Sequence, residues 1–211
     1  MRFNLFLAAG GFLTNFFLFL KLPRRVPLHF GMSGRVDRWG SKLELLGLNL
    51  FLVLFLLFLY FFIPRIDPKR RRLWSSRGYH MIFTGLFVLP FFLALLPYFY
   101  FIGLPVSRLA LLFSGLVLAF IGNYLPTIRP NYFVGIRTPW TLENEEVWRK
   151  THRIGGWLFV FTGLALTLSA IFLPVKTGIY FLVVLISLLI LFLFAYSYRV
   201  WRREGGNGPL P

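Results

Sequence analysis

The chain has 211 residues, of which 57% are hydrophobic and only 14% are charged, with seven acidic side chains and no cysteine. An average soluble domain carries about 25% charged residues, so this composition excludes a water-soluble protein and indicates an integral membrane protein. The net charge of +16 points to topology and anionic lipid rather than direct nucleic-acid binding, because Lys and Arg cluster at the ends of apolar runs. The absence of cysteine excludes disulfides, thiolate metal sites and a cysteine nucleophile.

Six apolar runs are long enough to cross a hydrocarbon core about 30 Å thick, which needs about 20 helical residues. Arg2 precedes the first run, but no small-residue cleavage pattern follows it, so we interpret the run as a retained helix. The sequence therefore predicts an all-α integral membrane protein that forms a single membrane domain over 1–211. The six transmembrane helices are predicted near 3–20, 45–63, 79–101, 108–125, 154–173 and 178–198.

Basic residues are distributed unevenly between the two sides of this arrangement. The N-terminus, the 64–78 loop, the 126–153 loop and the C-terminal tail fall on one side and hold 15 of the 23 Lys and Arg residues. The other side holds eight, six of them in the loop 21–44. The positive-inside rule then predicts a multi-pass plasma-membrane protein with both termini in the cytoplasm. We therefore expect an ordered outer loop over 21–44 and a cytoplasmic loop over 126–153.

The predicted spans contain prolines and asparagines but no internal charge. The lack of an intramembrane ionisable group argues against a proton- or ion-coupled pump. Pro90 and Pro97 lie on nearly one face of the third helix and indicate either a kinked helix or a broken helix that lines a substrate cavity. Asn15, Asn49 and Asn123 are interpreted as interhelical hydrogen-bonding residues, with a ligand role as the alternative.

Small residues form stripes on two of the predicted helices. On the fifth helix the stripe consists of Gly156, Gly163, Thr167 and Ala170, and on the fourth it consists of Gly115 and Ala119. Small side chains let helix backbones approach closely in a membrane, so the stripes predict tight helix packing.

The outer loop is predicted to be compact and to lie at the membrane surface. Prolines favour an extended chain and glycines supply turns. Ser41 followed by Glu44 is a capping box that begins the second helix. Trp39 is placed to lie at the membrane–water interface.

His29 and Asp37 are the candidate chemical residues of this loop. They are too few for a zinc site, which takes three or four ligands. As a catalytic dyad they lack a clear nucleophile, although Ser33 and Ser41 lie nearby in sequence. Two interpretations remain open. Either the pair has a binding role, or Asp37 pairs with Arg35 or Arg38 while His29 hydrogen-bonds the backbone.

The cytoplasmic loop is predicted to contain an extended stretch followed by an amphipathic helix at the membrane interface. Residues 126–139 contain prolines and glycines that favour an extended, non-helical chain, and a helix is expected to begin at Thr138 or Thr141. Three glutamates suit its first turns, and Arg149 and Lys150 are expected to close it, with Glu–Arg and Glu–Lys pairs at the i, i+4 spacing.

Metal binding by this loop has little support from the residue pattern. His152 and the glutamates, with His80 reaching over from the third helix, lack the HExxH spacing of a zinc site. Salt bridges already account for the glutamates. We therefore expect no metal, no other cofactor and no catalytic residue.

The two loops together resemble the SdpI family. The segment LPRRVPLHFGMSGRVDRWGSK (22–42) resembles the family's short N-terminal element of uncharacterised function. The segment NYLPTIRPNYFVGIRTPWTLENEEVWRKTHRIGGW (123–157) resembles its main signature. The motif GIRTPWTL, followed by a tryptophan and by THR at this spacing, carries most of the specificity.

The resemblance implies a membrane protein that confers immunity to a secreted antimicrobial peptide and transduces a signal, by sequestering a winged-helix repressor at the membrane. Membrane lipids, a peptide toxin and such a repressor are then the expected partners. The alternative is a membrane enzyme or an uncoupled transporter acting on a lipid or peptide through a polar cavity near Asn49 and Asn123. The residues expected to act in ligand binding or signalling are His29, Asp37, Trp39, Asn123, Asn131, Arg137, Trp140, Trp148, His152 and Arg153.

Overall fold

The computed structural model describes residues 2–31 and 34–205. Its elements are α1 (Arg2–Lys21), β1 (Arg25–Phe30), β2 (Val36–Ser41), α2 (Lys42–Ile66), α3 (Arg70–Trp74), α4 (Arg77–Phe101), α5 (Val106–Tyr124), α6 (Pro139–Glu143), α7 (Glu145–Phe172) and α8 (Val175–Arg203). Within the described ranges, α1, α2, α4, α5, α7 and α8 are long and apolar enough to cross a membrane. The predicted multi-pass architecture with six spanning helices is confirmed.

The first loop contains an antiparallel β-hairpin, so the prediction of an all-α chain is wrong at this point. β1 pairs with β2 across a turn in which the Gly31 N–H donates to the Arg35 carbonyl at 2.9 Å. Gly34 lies at φ +79°, in the left-handed region that glycine adopts without strain. The extended chain that the prolines favour thus satisfies its backbone groups by pairing with itself.

The start of α2 follows the predicted cap. The Ser41 hydroxyl accepts the Glu44 N–H at 3.0 Å, which satisfies one of the free donors of the first turn. The Glu44 carboxylate does not return to the Ser41 backbone as a capping box requires, because it pairs with Arg38 of β2. The carboxylate therefore links the hairpin to α2.

The second loop departs from the predicted amphipathic helix. A helix begins at Pro139 as expected, but it ends at Glu143, and Asn144 caps a new helix by accepting the N–H groups of Glu146 and Val147. This second helix, α7, does not close at Arg149 and Lys150. It continues into the predicted fifth span, because no proline or capping residue interrupts the helix-forming run that follows.

Asparagines connect three of the spanning helices. Asn15 of α1 donates to the Asn49 side chain at 3.1 Å, and Asn49 of α2 donates to the Pro90 carbonyl of α4 at 2.5 Å. The interhelical interpretation of these two asparagines is confirmed. α4 runs unbroken through Pro90 and Pro97, so the interpretation of a broken helix is wrong.

Backbone contact joins α5 to α7. A methyl group added at Gly163 would lie 2.5 Å from the Ala119 nitrogen and from the Gly115 carbonyl oxygen. Two turns of α7 closer to the second loop, a methyl group at Gly122 would lie 2.8 Å from the Gly156 carbonyl oxygen. The predicted close packing of the small-residue stripes is therefore confirmed.

The hairpin and the second loop lie at opposite ends of the helices. At the hairpin end, the rings of Phe30 and Trp39 contact Tyr100, near the end of α4, with ring centroids 5.9 and 5.7 Å away. At the second-loop end, the start of α4 is fixed by Ser76, whose hydroxyl donates to the Thr127 carbonyl at 2.9 Å. A helix of 25 residues separates these two contacts by about 36 Å.

Gly163→Ala tests the backbone contact between α5 and α7. Because the added methyl group meets backbone atoms that cannot rotate away, we expect a loss of about 2 kcal/mol of stability. Gly47→Ala is the matched control, since nothing lies within 4 Å of that methyl position on α2. Thermal unfolding of the detergent-solubilised protein measures both changes. Equal midpoints for the two variants would show that the contact is not tight.

Candidate functional site

The second loop is folded around the buried side chain of Asn131. Its amide nitrogen donates to the carbonyls of Arg129 at 2.9 Å and Val134 at 2.8 Å. Its amide oxygen accepts the N–H groups of Phe133 at 2.8 Å and Val134 at 2.7 Å. Every donor of the amide and its acceptor are used within the loop. Asn131 therefore maintains the shape of the loop, and its amide is not left over for a ligand.

His152 holds the loop against α7. Its Nε2 accepts the Ile136 N–H at 3.0 Å, so Nδ1 carries the proton and donates to the Trp148 carbonyl at 2.9 Å. The imidazole is fully buried and stacks on the Trp148 indole, with centroids 4.0 Å apart. The indole nitrogen in turn donates to the Ile128 carbonyl at 2.9 Å. With both ring nitrogens occupied by backbone groups, the described geometry fits a positioning role for His152.

Gly135 is required where the loop crosses this stacked pair. Its φ is +125°, and a methyl group at this position would collide with His152 Nε2 and approach the Trp148 ring to 3.1 Å. The first residue of the GIRTPWTL motif is therefore a position of close approach between backbone and side chains.

The rest of the motif anchors α6 to the last helix. Thr138 and Thr141 cap each other, and the Thr141 hydroxyl also donates to the Ile136 carbonyl at 2.9 Å. The buried Trp140 ring packs on Phe194 and Tyr198 of α8, with centroids 4.8 and 5.1 Å away. The motif therefore docks the second loop on α7 and α8 at once.

Asp67, which the sequence pattern did not single out, connects the loop after α2 to the second loop. The side chain is buried, and its carboxylate accepts the Lys69 N–H at 2.6 Å and the Tyr132 N–H at 2.9 Å. One signal was available, because Asp67 is the single acidic residue in the strongly basic 64–78 loop. Hydrogen bonds to a carboxylate are strong, so Asp67 is a joint between two otherwise separate loops.

A cluster of aromatic side chains around His80 was also missed. The Tyr60 hydroxyl donates to His80 Nδ1 at 2.8 Å, and His80 Nε2 donates to the Trp74 carbonyl at 2.7 Å. Tyr79 stacks on Tyr60, with centroids 5.6 Å apart. This geometry uses both nitrogens of His80 and joins α2, α3 and α4. In the described ranges, no three His, Asp or Glu side chains are grouped to hold a metal ion.

The charged side chains near the start of α7 pair differently from the prediction. Glu145 pairs with Arg72 of α3, not with Arg149. Glu146 pairs with Arg149 at 2.5 Å and, as expected, with Lys150 at 3.4 Å. All of these groups are exposed or half-buried, and such pairs contribute little stability.

Two further candidates of this region present charge at the surface. Arg137 is exposed, and its guanidinium donates to the Tyr132 carbonyl at 2.7 Å. Arg153 is exposed and makes no hydrogen bond or ion pair with other described side chains. Asn123 lies apart from the loop network, exposed at the end of α5.

The hairpin presents the other candidate residues. His29 Nδ1 lies 2.7 Å from Asp37 Oδ1, and both side chains are more than half exposed. The structural interpretation, with Asp37 paired to arginine and His29 bonded to backbone, is therefore wrong. Trp39 remains 44% exposed beside the pair, and Ser33 lies outside the described residues. The hairpin thus exposes both the His29–Asp37 pair and the Trp39 indole to solvent.

Gly135→Ala tests the packing of the loop on His152. We expect a loss of about 3 kcal/mol, since backbone strain at positive φ adds to the collision with the imidazole. Gly103→Ala is the control: it carries the same kind of strain at φ +79° but has nothing within 4 Å, so a loss of about 1 kcal/mol is expected. Thermal unfolding in detergent compares them, and equal losses would contradict the close approach.

Comparisons with known proteins match both parts of the chain described above. Residues 127–197 match the SdpI/YfhL protein family, and residues 6–53 match a domain of unknown function, DUF1648. Immunity protein SdpI of Bacillus subtilis (strain 168) is 24% identical over 199 residues, covering 93% of this chain and 93% of that protein. No solved structure matches the chain. The resemblance predicted from the two loops is confirmed: the chain is similar to the SdpI/YfhL protein family over residues 127–197 and, across most of its length, to an immunity protein.

Proposed function

We propose that this chain is a membrane immunity protein that protects a cell against a secreted antimicrobial peptide and passes a signal to its cytoplasmic face. The supporting observation is the identity of 24% to Immunity protein SdpI across 93% of both chains. The family matches over residues 6–53 and 127–197 include the hairpin and nearly all of the second loop. The fold supports a two-sided function, because its two groups of candidate residues lie at opposite ends of the helices.

The proposed orientation places the hairpin outside and both termini in the cytoplasm of a plasma-membrane protein. It rests on the basic residues: α3, the second loop and the end of α8 fall on one side and carry most of them. The hairpin end is less basic.

Because the chain has no cysteine, the orientation is testable with single cysteines. Arg35→Cys in the hairpin turn should react with a membrane-impermeant maleimide in intact cells. Glu143→Cys at the end of α6 should react only after permeabilisation. Both positions are exposed, so access is decided by the membrane alone. The reverse pattern would overturn the orientation.

The hairpin is the proposed site of toxin contact. His29, Asp37 and Trp39 are exposed on it. An apolar cavity of about 320 Å³, which Phe30, Leu48 and other apolar side chains line, lies between the hairpin, α2 and α4. A peptide able to enter membranes could insert an apolar side chain there while its polar groups meet the His29–Asp37 pair.

The second loop is the proposed signalling surface, and its partner is a winged-helix repressor held at the membrane. The exposed cations Arg137 and Arg153 are candidates for this contact, whereas Trp140, Trp148 and His152 fix the loop beneath them. α4 offers a physical connection: Tyr100 near one end contacts the hairpin, and Ser76 before the other end bonds the second loop. If a toxin displaced the hairpin, α4 would transmit that displacement to the second loop.

Survival under toxin challenge tests the immunity function. A toxin-sensitive bacterium expressing the chain should survive a sporulation-delaying peptide, and His29→Ala or Asp37→Asn should reduce survival at least tenfold, because each removes one partner of the exposed pair. Arg199→Gln serves as a control on an exposed residue away from the hairpin, with membrane levels matched by blot. Loss of protection in the hairpin variants alone would support the proposal.

An absence of protection by the correctly inserted wild-type chain would overturn immunity to that peptide. The alternative of a membrane enzyme or uncoupled transporter would then be favoured.

Arg137→Ala tests the signalling surface separately. We expect the variant to retain survival but to lose toxin-dependent recruitment of a fluorescent winged-helix repressor to the membrane, seen by microscopy. His29→Ala should lose both. Recruitment that is unaffected by Arg137→Ala would contradict a role for this arginine.

A further inference from the structure

A cavity of about 600 Å³ lies between the end of α5 and the first turns of α7, away from the residues that fix the second loop. Its floor is the place where Gly122 and Gly156 bring the two backbones together. Its lining includes Asn123, Pro126, Arg149, Lys150, Arg153 and Trp157. We refer to this cavity as the α5–α7 groove.

The polar end of the groove is cationic. Three basic side chains line it against one carboxylate, that of Glu146. The carboxylate is shared between Arg149 and Lys150, and Lys150 also pairs with Glu204. Arg153 has no such partner among the described residues and lies one turn from Arg149 at the i, i+4 spacing. Two arginines at that spacing repel each other, and an anion between them would relieve the repulsion.

The opposite end of the groove continues into an apolar strip on the same face of α7. Trp157 follows Arg153 by four residues and is 59% exposed, and Phe161 follows by four more and is 63% exposed. Their rings stack, with centroids 6.2 Å apart. Leu164 and Leu168 extend the strip and are exposed as well. Cations, then an interfacial tryptophan, then exposed apolar side chains follow one another along a single helix face.

We propose that the α5–α7 groove binds an anionic phospholipid. The phosphate would lie between Arg149 and Arg153, and an acyl chain would cover Trp157 and Phe161. The apolar strip favours a lipid over a free phosphate ion, because a free ion would use only the cationic end. The site contains no hairpin residue and requires no toxin, although it shares Arg153 with the signalling surface proposed above. Lipid binding is therefore tested in vesicles that contain neither toxin nor repressor.

Quenching of Trp157 by brominated lipid tests the proposal with the full-length protein in vesicles. The vesicles contain phosphatidylcholine with a fixed fraction of either dibrominated phosphatidylglycerol or dibrominated phosphatidylcholine. The fluorescence difference between wild type and Trp157→Phe isolates this indole from the other tryptophans. We expect stronger quenching of Trp157 by the brominated anionic lipid than by the brominated neutral one.

Removing the groove cations should remove that preference. The double variant Arg149→Gln/Arg153→Gln should lower the preference about fivefold for each cation lost. Arg199→Gln/Arg202→Gln removes the same charge from exposed positions of α8 at the same end of the helices and should keep the preference. The single variant Arg153→Gln, at an exposed position, gives an intermediate loss even if the double variant folds poorly.

Three results would overturn the lipid site. The wild type could show equal quenching by the two brominated lipids, or the two double variants could lose the preference equally, which would reflect general surface charge. A third arm adds inorganic phosphate at matched concentration to the detergent-solubilised protein. Thermal stabilisation by phosphate equal to that by phosphatidylglycerol would show an ion site without a lipid.

Discussion

The contact between the backbones of α5 and α7 is the constraint on which the second half of the structure depends. Burial of apolar side chains gives little drive for helix association in lipid, so close van der Waals packing of small residues has to supply it. The contact sets where α7 enters the second loop, because Gly155 faces Ile136 and Gly156 faces Pro126. Any side chain at these glycines would push the loop away from the helix that holds it.

The second loop shows how a segment without regular structure is kept in one shape at a membrane surface. Its backbone groups are satisfied by side chains: Asn131 from within, Trp148 and His152 from α7, and Asp67 and Ser76 from the segment between α2 and α4. All five of these side chains are buried. The exposed surface around this rigid centre includes the arginines of the loop beside Tyr132, Phe133 and Glu143, a division suited to recognition of a partner.

Hydrophobic runs made the six spans predictable, because the thickness of the bilayer requires long apolar helices whatever their tertiary contacts. The Ser41 cap, the Asn15–Asn49 bond and the glycine stripes were predictable for a similar reason, since each depends on local residue type or helical spacing. The candidate loop residues were also found, although their individual roles were not. Trp148 and His152, for example, lie at the i, i+4 spacing of one helix, but the backbone groups of the loop that they bind could not be read from that spacing.

The missed features depend on partners distant in sequence. The ordered outer loop was predicted as extended chain and turns, but its pairing into a hairpin was not, because the short strands lack a long alternating pattern. The pairing of Glu145 with Arg72 could not be seen from helical spacing, since the two lie on different helices. Asp67 and the tyrosines around His80 acquire their roles only when α2, α3 and α4 come together. The end of the predicted amphipathic helix was wrong because the basic residues Arg149 and Lys150 were interpreted as its C-terminus, whereas the helix continues beyond them.

The unbroken course of α7 has a mechanical consequence. Its 28 residues make a rod about 42 Å long, roughly 12 Å longer than the hydrocarbon core is thick. The excess holds Trp148 and His152, so the loop is mounted on a stiff extension of a membrane helix with no hinge between them. A tilt of α7 inside the bilayer would therefore move the loop sideways. In this motion α7 acts as a lever that pivots at its glycine contact with α5.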